Sequence, residues 1–215
     1  MKDILTAKEF LKQFDKGTAV CELPIDFKIR YCITDQKEFD LLDKQPEILQ
    51  QKDCGCVTYK NNTTDKIVII DYENIIQSFP QEINTGKKAP KCCDFLVYSE
   101  NGNSFFICNE LSTSITKNKW PDARNQFSDT IRSLLNCEET KLIVNSFKQK
   151  LCILSTKIIP IESPEEMVDA FNFPYEVIKK AEELHWTIVE RMGFSIWEAN
   201  LLTYESEDSV LIEVR

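Results

Sequence analysis

Residues 92–112, CCDFLVYSENGNSFFICNELS, decide the fold of this chain. Two apolar runs, Cys92–Tyr98 and Ser104–Leu111, flank the turn-forming residues Glu100-Asn101-Gly102. Asn and Gly tolerate the backbone angles that tight hairpin turns require. The pattern therefore predicts two antiparallel strands, joined by a short loop, at the centre of a sheet.

Each of these strands carries one acidic residue, Asp94 in the first strand and Glu110 in the second. A carboxylate in a half-buried strand is costly unless it is hydrogen-bonded, ion-paired or bound to a metal. Two carboxylates on neighbouring strands could hold a divalent cation, because Mg²⁺ prefers a few carboxylates together with water and phosphate oxygens. We therefore consider Asp94 and Glu110 candidate metal ligands.

The length of the hairpin loop decides whether the two acids can meet. In one register, Asn101 and Gly102 form a two-residue turn. Asp94 then lies opposite Asn109, and Glu110 points to the other face of the sheet. In the other register, a three-residue loop with Gly102 in the left-handed conformation places Asp94 diagonal to Glu110, roughly 7–8 Å apart on one face. The sequence leaves both registers open, and the metal hypothesis requires the second.

The rest of the chain predicts helices that flank further strands. Amphipathic spacing predicts helices at Ile4–Phe14, Gln36–Gln51, Pro121–Asn136 and Pro174–Met192. Apolar runs predict strands at Val20–Cys32, Lys141–Val144 and Leu151–Leu154, a hairpin of Cys56–Tyr59 with Lys66–Asp71, and a C-terminal hairpin of Ala199–Tyr204 with Ser209–Val214. This order predicts one α/β (mixed α+β) domain over residues 1–215, in which a central mixed sheet is flanked by helices.

Charge restricts the class of function. The 215 residues carry a net charge of −9. Proteins that bind nucleic acid on their own usually have a basic surface, because neutralising phosphates supplies most of the nonspecific affinity. The acidic balance therefore argues against autonomous, tight DNA binding and favours a protein partner. We recognise no secretory signal and no apolar run of the ~20 residues that span a bilayer, so we expect a cytoplasmic location without membrane contact.

The nine cysteines and the single histidine narrow the chemistry further. Cys108 and Cys152 lie within apolar, strand-like runs, which indicates reduced and buried thiols. His185, the one histidine, belongs to a predicted helix beside Trp186, where a packing or surface role is the more common one. Sites with two or more histidine ligands are excluded by this count.

The segment of about residues 60–157 resembles the PD-(D/E)XK nuclease superfamily, which has the restriction-endonuclease-like fold. Members place an Asp on one core strand and a Glu-x-Lys on the next, followed by a helix packed on the sheet. Asp94 and Glu110 match the two acids, and the next predicted helix, which contains Gln126, matches the helix. Glu9, an acid on the predicted N-terminal helix, is a further candidate contributor.

The chain departs from this family pattern at the lysine. Ser112 occupies that position in the stretch Glu110-Leu111-Ser112. In the family, the lysine positions or activates the attacking water and stabilises the charge that builds up at phosphorus. A serine hydroxyl has neither the charge nor the reach, but Lys117 or Lys119 could supply the charge from a migrated position.

The resemblance implies hydrolysis of a DNA or RNA phosphodiester by water that Mg²⁺ activates, in nucleic-acid processing or in bacterial antiviral defence. Asp94 and Glu110 would be the catalytic metal ligands, and Lys117 or Lys119 the electrostatic helper. Basic residues near the motif are candidates for binding nucleic acid: Lys87, Lys88, Lys91 and Arg124. The alternative is a catalytically inactive nuclease-like subunit that acts as a protein-binding, scaffold or immunity-type protein, as Ser112 and the net charge favour.

Overall fold

The computed structural model describes residues 1–14, 23–41, 48–50, 57–78, 91–101, 103–112, 119–158, 178–202 and 210–214. Within these ranges, the strands form a larger and a smaller sheet. The larger sheet has the order β1 (Tyr31–Thr34), β5 (Ile67–Asp71), β6 (Phe95–Ser99), β7 (Phe105–Ser112), β8 (Gln149–Ile158), β10 (Ser195–Leu202) and β9 (Ile178–Leu184). The smaller sheet has the order β11 (Val210–Val214), β4 (Val57–Asn61), β2 (Glu38–Leu41) and β3 (Leu49–Gln50).

The helices pack on one face of the larger sheet. They are α1 (Lys2–Leu5), α2 (Lys8–Leu11), α3 (Tyr72–Gln77), α4 (Lys119–Asn136), α5 (Glu138–Ser146) and α6 (Thr187–Arg191), with a 3-10 turn at Lys12–Phe14. The predicted helix at Ile4–Phe14 is therefore divided into α1, α2 and the 3-10 turn. The predicted helix at Pro121–Asn136 is confirmed as α4.

The centre of the larger sheet combines antiparallel and parallel pairing. β5, β6 and β7 are antiparallel neighbours, whereas β8 lies parallel to β7. Parallel neighbours require a crossover connection of a dozen or more residues, and α4 with α5 lies on this connection. β10 continues the sheet parallel to β8, and β9 closes this edge antiparallel to β10. The prediction of a mixed α+β fold, with a mixed sheet flanked by helices, is confirmed.

The larger sheet separates two apolar cores, because successive side chains of a strand point to opposite faces. On the helix side, β6 and β7 contribute Leu96, Tyr98, Phe106 and Cys108. On the side of the smaller sheet, they contribute Phe95, Val97, Phe105 and Ile107. Since both faces are covered, the two strands are apolar almost throughout, and any acid within them lies in a buried environment.

The C-terminal part differs from its prediction. The predicted helix Pro174–Met192 is wrong, because its described part forms the strand β9 followed by the short helix α6. Pairing of β9 with the edge of β10 satisfies backbone groups that a helix would satisfy internally, and this tertiary contact overrides the helical spacing. The predicted C-terminal hairpin is also wrong, because β10 belongs to the larger sheet and β11 pairs parallel to β4 in the smaller one.

Four other assignments are corrected. The predicted strand at Lys141–Val144 lies within α5, which begins with two acids that favour a helix N-terminus. The predicted helix at Gln36–Gln51 is replaced, where described, by β2 and β3. The strands predicted at Cys56–Tyr59 and Lys66–Asp71 exist as β4 and β5, but they lie in different sheets and form no hairpin. Of the predicted strand Val20–Cys32, only the last two residues fall in β1.

Gly193, just after α6, has a backbone φ of +82°. This is the left-handed region, which costs an L-residue with a Cβ roughly 1–2 kcal/mol. We expect Gly193→Ala to lower the melting temperature by a few degrees, measured by circular dichroism. Asn103→Gly is the matched control at another left-handed position, where φ is +48°, and should leave the melting temperature unchanged or raise it. Equal melting temperatures for Gly193→Ala and the wild type would contradict this backbone conformation.

Candidate functional site

β6 and β7 pair in a register that differs from both sequence-based alternatives. Phe95 faces Asn109, and Tyr98 faces Phe106. The connection between the strands is therefore longer than two or three residues, and its Gly102 lies outside the described residues. When this register is continued by one residue, Asp94 lies opposite Glu110. The two acids consequently lie near each other at the same end of the central strand pair, with Asp94 just before β6 and Glu110 within β7.

Asp94 is held by backbone groups of its neighbours and is only 6% exposed. Its Oδ2 accepts a hydrogen bond of 2.6 Å from the backbone N–H of Leu111, next to Glu110 on β7. Its carbonyl oxygen accepts hydrogen bonds from the N–H groups of Tyr72 and Glu73, at 2.9 and 3.2 Å. These contacts fix Asp94 where the start of β6, the end of β7 and the start of α3 meet.

Glu110 is 3% exposed and lies on the helix side of β7, since it continues the alternation of Phe106 and Cys108. The pKa of the Cys92 thiol depends on the charged groups around it. Burial raises the pKa of the Cys92 thiol, and neighbouring negative charges raise it further. The carboxylates among these neighbours are Glu73, Asp94 and Glu110. Three carboxyl groups therefore lie close to one buried thiol.

Helix α4 crosses the sheet above this end. Near β6, Gln126 donates a hydrogen bond of 3.1 Å to the carbonyl of Cys92, and Thr130 accepts one of 3.0 Å from the N–H of Cys93. On the other side, the indole N–H of Trp120 donates to Glu198 on β10 at 2.8 Å. The first turns of α4 thus span the sheet from β6 to β10, with β7 and its acid between them.

Ser112, at the position that corresponds to the lysine of the PD-(D/E)XK pattern, is buried. Ser112 is 5% exposed and pairs with Thr156 on β8. Lys157 follows on β8 and is also buried, at 8% exposed. Strand alternation directs Lys157 to the face of the smaller sheet, away from the face of Glu110. Lys157 therefore does not replace the missing lysine beside the two acids.

The other predicted basic residues are placed in different ways. Lys87, Lys88 and Lys117 lie outside the described residues. Helix α4 begins at Lys119, whose side chain is likewise outside the description. Lys91 is exposed and forms an ion pair of 2.6 Å with Asp122, so it contributes to the start of α4. Arg124 is half-buried on the same helix.

Two further residues considered from the sequence lie on the surface. Glu9 is exposed on α2 and forms an ion pair of 2.7 Å with Lys12. His185 is 94% exposed, and its Nδ1 lies 3.1 Å from a carboxylate oxygen of Glu190. In contrast, Glu198 was not singled out from the sequence. It lies between the predicted helix Pro174–Met192 and the predicted hairpin that begins at Ala199, so no local signal placed it beside β8.

Within the described ranges, no group of three or more His, Cys, Asp or Glu side chains has the arrangement of a metal site. A metal at this end of the sheet would be held by the pair predicted from the sequence, Asp94 and Glu110. This set fits Mg²⁺ better than Zn²⁺ or Ca²⁺, because Mg²⁺ keeps several water ligands and binds through one or two carboxylates plus phosphate oxygens.

Comparison of the chain with protein-family models, curated proteins and solved structures yields no match. Among the helices that the structure describes, none is long and apolar enough to cross a membrane. The geometry of the carboxylate pair is therefore the basis on which a function is proposed.

Proposed function

We propose that this chain is a nuclease-related protein in which Asp94 and Glu110 bind Mg²⁺ for the hydrolysis of nucleic-acid phosphodiesters. The observation that supports the proposal is the hydrogen bond from the backbone N–H of Leu111 to Asp94, which brings Asp94 close to Glu110 at one end of the sheet. The order of three antiparallel strands, a helical crossover and a parallel strand is compatible with a restriction-endonuclease-like core.

In this proposal, bound Mg²⁺ supplies an activated water and a Lewis acid for the phosphoryl oxygens. The N–H of Leu111 orients the Asp94 carboxylate, so this ligand needs little rearrangement on binding. Ser112 is neutral and cannot stabilise the charge that develops on phosphorus. Lys119, in the first turn of α4, and Lys117 are the cations that we assign to this role.

A second candidate function is supported by the burial of the same residues. Asp94, Glu110 and Ser112 are each nearly inaccessible, and a serine replaces the family lysine. A nuclease-like chain with buried acids and with no lysine at the position of Ser112 suits a protein-binding, scaffold or immunity-type role. The net charge of −9 is consistent with a basic protein partner.

The decisive experiment measures metal binding separately from cleavage. Thermal unfolding is followed with increasing Mg²⁺ or Mn²⁺, without nucleic acid, for the wild type, Asp94→Asn and Glu110→Gln. We expect the metal to raise the wild-type melting temperature by several degrees, since a ligand that binds only the folded state stabilises it. Both variants should lose this response. Glu9→Gln, which removes an exposed acid, should retain it.

Cleavage of plasmid DNA and of RNA is then measured with the same proteins and metals. The proposal predicts metal-dependent cleavage that falls at least 100-fold in both variants and is unchanged in Glu9→Gln. A metal response without cleavage, together with a stable complex with another protein, would support the second candidate. A wild-type protein that shows neither a metal response nor cleavage would overturn the nuclease proposal.

A further inference from the structure

Arg124 on α4 is held between two indole rings. Its guanidinium carbon lies 5.7 Å from the ring centroid of Trp120, one turn earlier on the helix, and 5.7 Å from that of Trp186, just before α6. Both distances are within the ~6 Å range of cation–π interactions. The two rings restrict the side chain, so its charge is presented at a defined position rather than on a freely moving stem.

The charge of Arg124 has no carboxylate partner among the residues that the structure describes. Arg30 forms an ion pair with Asp71 at 2.9 Å, and Arg132 forms one with Asp129 at 3.4 Å. Arg124 forms no such pair in the described ranges, and its Nε is buried without a described hydrogen-bond acceptor. The half-buried guanidinium therefore has an N–H group without an acceptor among the described residues. Burying such a group is costly unless an anion accepts its hydrogen bond.

The surroundings favour a phosphate group as that anion. The planar guanidinium fork matches the geometry of phosphate and binds it in a bidentate manner. Arg124 lies in the second turn of α4, and helical side chains tilt toward the N-terminus, which is the positive end of the helix dipole. We propose that Trp120, Arg124 and Trp186 form a phosphate-binding cluster.

The cluster lies beside the carboxylate pair. Trp120 is hydrogen-bonded to Glu198, which pairs with Leu154 on β8, and Leu154 in turn pairs with Glu110. Glu198 is therefore two strands, about 10 Å, from Glu110. One nucleic-acid strand could contact both places, and this extension rests on the proposed nuclease function. Binding of phosphate to the cluster does not depend on it.

The fluorescence of Trp120 and Trp186 provides a direct readout. The chain has three tryptophans, so Trp197→Phe is introduced into every protein to leave only the two that flank Arg124. Inorganic phosphate and a six-nucleotide single-stranded DNA are titrated separately, at constant ionic strength and without divalent metal. The proteins compared are the parent, Arg124→Gln, Arg124→Lys and Arg132→Gln. Arg132 is the matched control, because it is exposed on the same helix and is paired with Asp129.

We expect a saturable fluorescence change in the parent and in Arg132→Gln, and at least tenfold weaker binding in Arg124→Gln. Arg124→Lys should fold equally well and bind with intermediate affinity, since it keeps the charge and loses the bidentate fork. If DNA binds at least tenfold more tightly than phosphate, the phosphate group that the cluster recognises belongs to a nucleic-acid strand. Equal affinities identify a free phosphate or a small phosphorylated molecule.

Equal titrations for the parent and both Arg124 variants, or no saturable change in the parent, would overturn the cluster as a phosphate site. Circular dichroism of each variant verifies that it is folded. Because these titrations contain no divalent metal and the thermal experiment with Asp94 and Glu110 contains no phosphate, the two proposals can fail independently.

Discussion

Raising the pH from 7 to about 10.5 is expected to reduce the stability of this protein steeply. Cys92, Cys93 and Cys108 are buried, and burial raises the pKa of each thiol above its ordinary value of 9.0. In the unfolded chain these thiols lose their protons near pH 9, whereas in the folded protein they keep them. Above pH 9 the unfolded state therefore binds fewer protons than the folded state.

The direction and size of the effect follow from this difference. The free energy of unfolding is at its full value below pH 9 and falls as the pH rises from there toward the raised pKa values. Each thiol contributes about 1.4 kcal/mol per pH unit in this window. Three thiols together lower the free energy of unfolding by roughly 4 kcal/mol per pH unit, a large part of the total stability of a typical domain.

Urea unfolding at a series of pH values between 7 and 10.5 measures this effect. We expect a nearly constant midpoint up to about pH 9 and a steep decline above it. Cys108→Val, which replaces one thiol on β7 with a side chain of similar size, should reduce the slope of the decline by about a third. A midpoint that stays constant to pH 10.5 would show that these thiols are not buried in the folded protein.

Phe106→Ala is expected to lower the free energy of unfolding by about 3–5 kcal/mol, the usual cost of truncating a buried aromatic side chain. The Phe106 ring is fully buried, with centroid distances of 6.2 Å to Tyr98, 5.5 Å to Phe147 and 6.2 Å to Phe194. Its removal leaves a cavity beneath three rings. These rings lie on β6, just before β8 and just before β10, so the cluster joins the strands that carry Glu110 and Glu198.

The free energy of unfolding of Phe106→Ala is measured by urea denaturation at pH 7. Leu142→Ala is the control, since Leu142 is 71% exposed on α5 and its truncation should change the stability by less than about 0.5 kcal/mol. A loss below about 1 kcal/mol in Phe106→Ala would be incompatible with a ring that fills the core at this position.

Local sequence patterns predicted correctly those strands and helices in which the spacing of apolar side chains agrees with the residue types that begin and end the element. The two apolar runs around Asn101 and Gly102 contain β6 and β7, although β6 begins at Phe95 and not at Cys92, and the apolar positions after Pro121 face the core as α4. Leu151–Leu154 lies within β8. In contrast, β9 occupies a segment with helical spacing, because pairing with β10 outweighed an intrinsic preference of less than a kilocalorie per residue.

For the candidate site, the sequence identified two acids in apolar strands but could not decide how they meet. Both proposed loop lengths were too short, and the actual register, which pairs Phe95 with Asn109, differs from both predicted ones. The sequence also gave no sign that Leu111 donates to Asp94, or that Glu198 receives the indole N–H of Trp120. These contacts join residues that are far apart in the chain, so no local pattern contains them.

The sequence by itself determined that Glu110 lies in a central strand and that Asp94 lies at the start of the neighbouring one, because hydrophobicity and turn residues act over a few positions. Only the tertiary structure decided their register, their burial beneath α4 and the position of Arg124 between Trp120 and Trp186. The physical reason is that each of these features depends on which surfaces pack together. Packing buries apolar surface from all parts of the chain together. The pattern of one strand or helix shows only which of its own side chains are apolar.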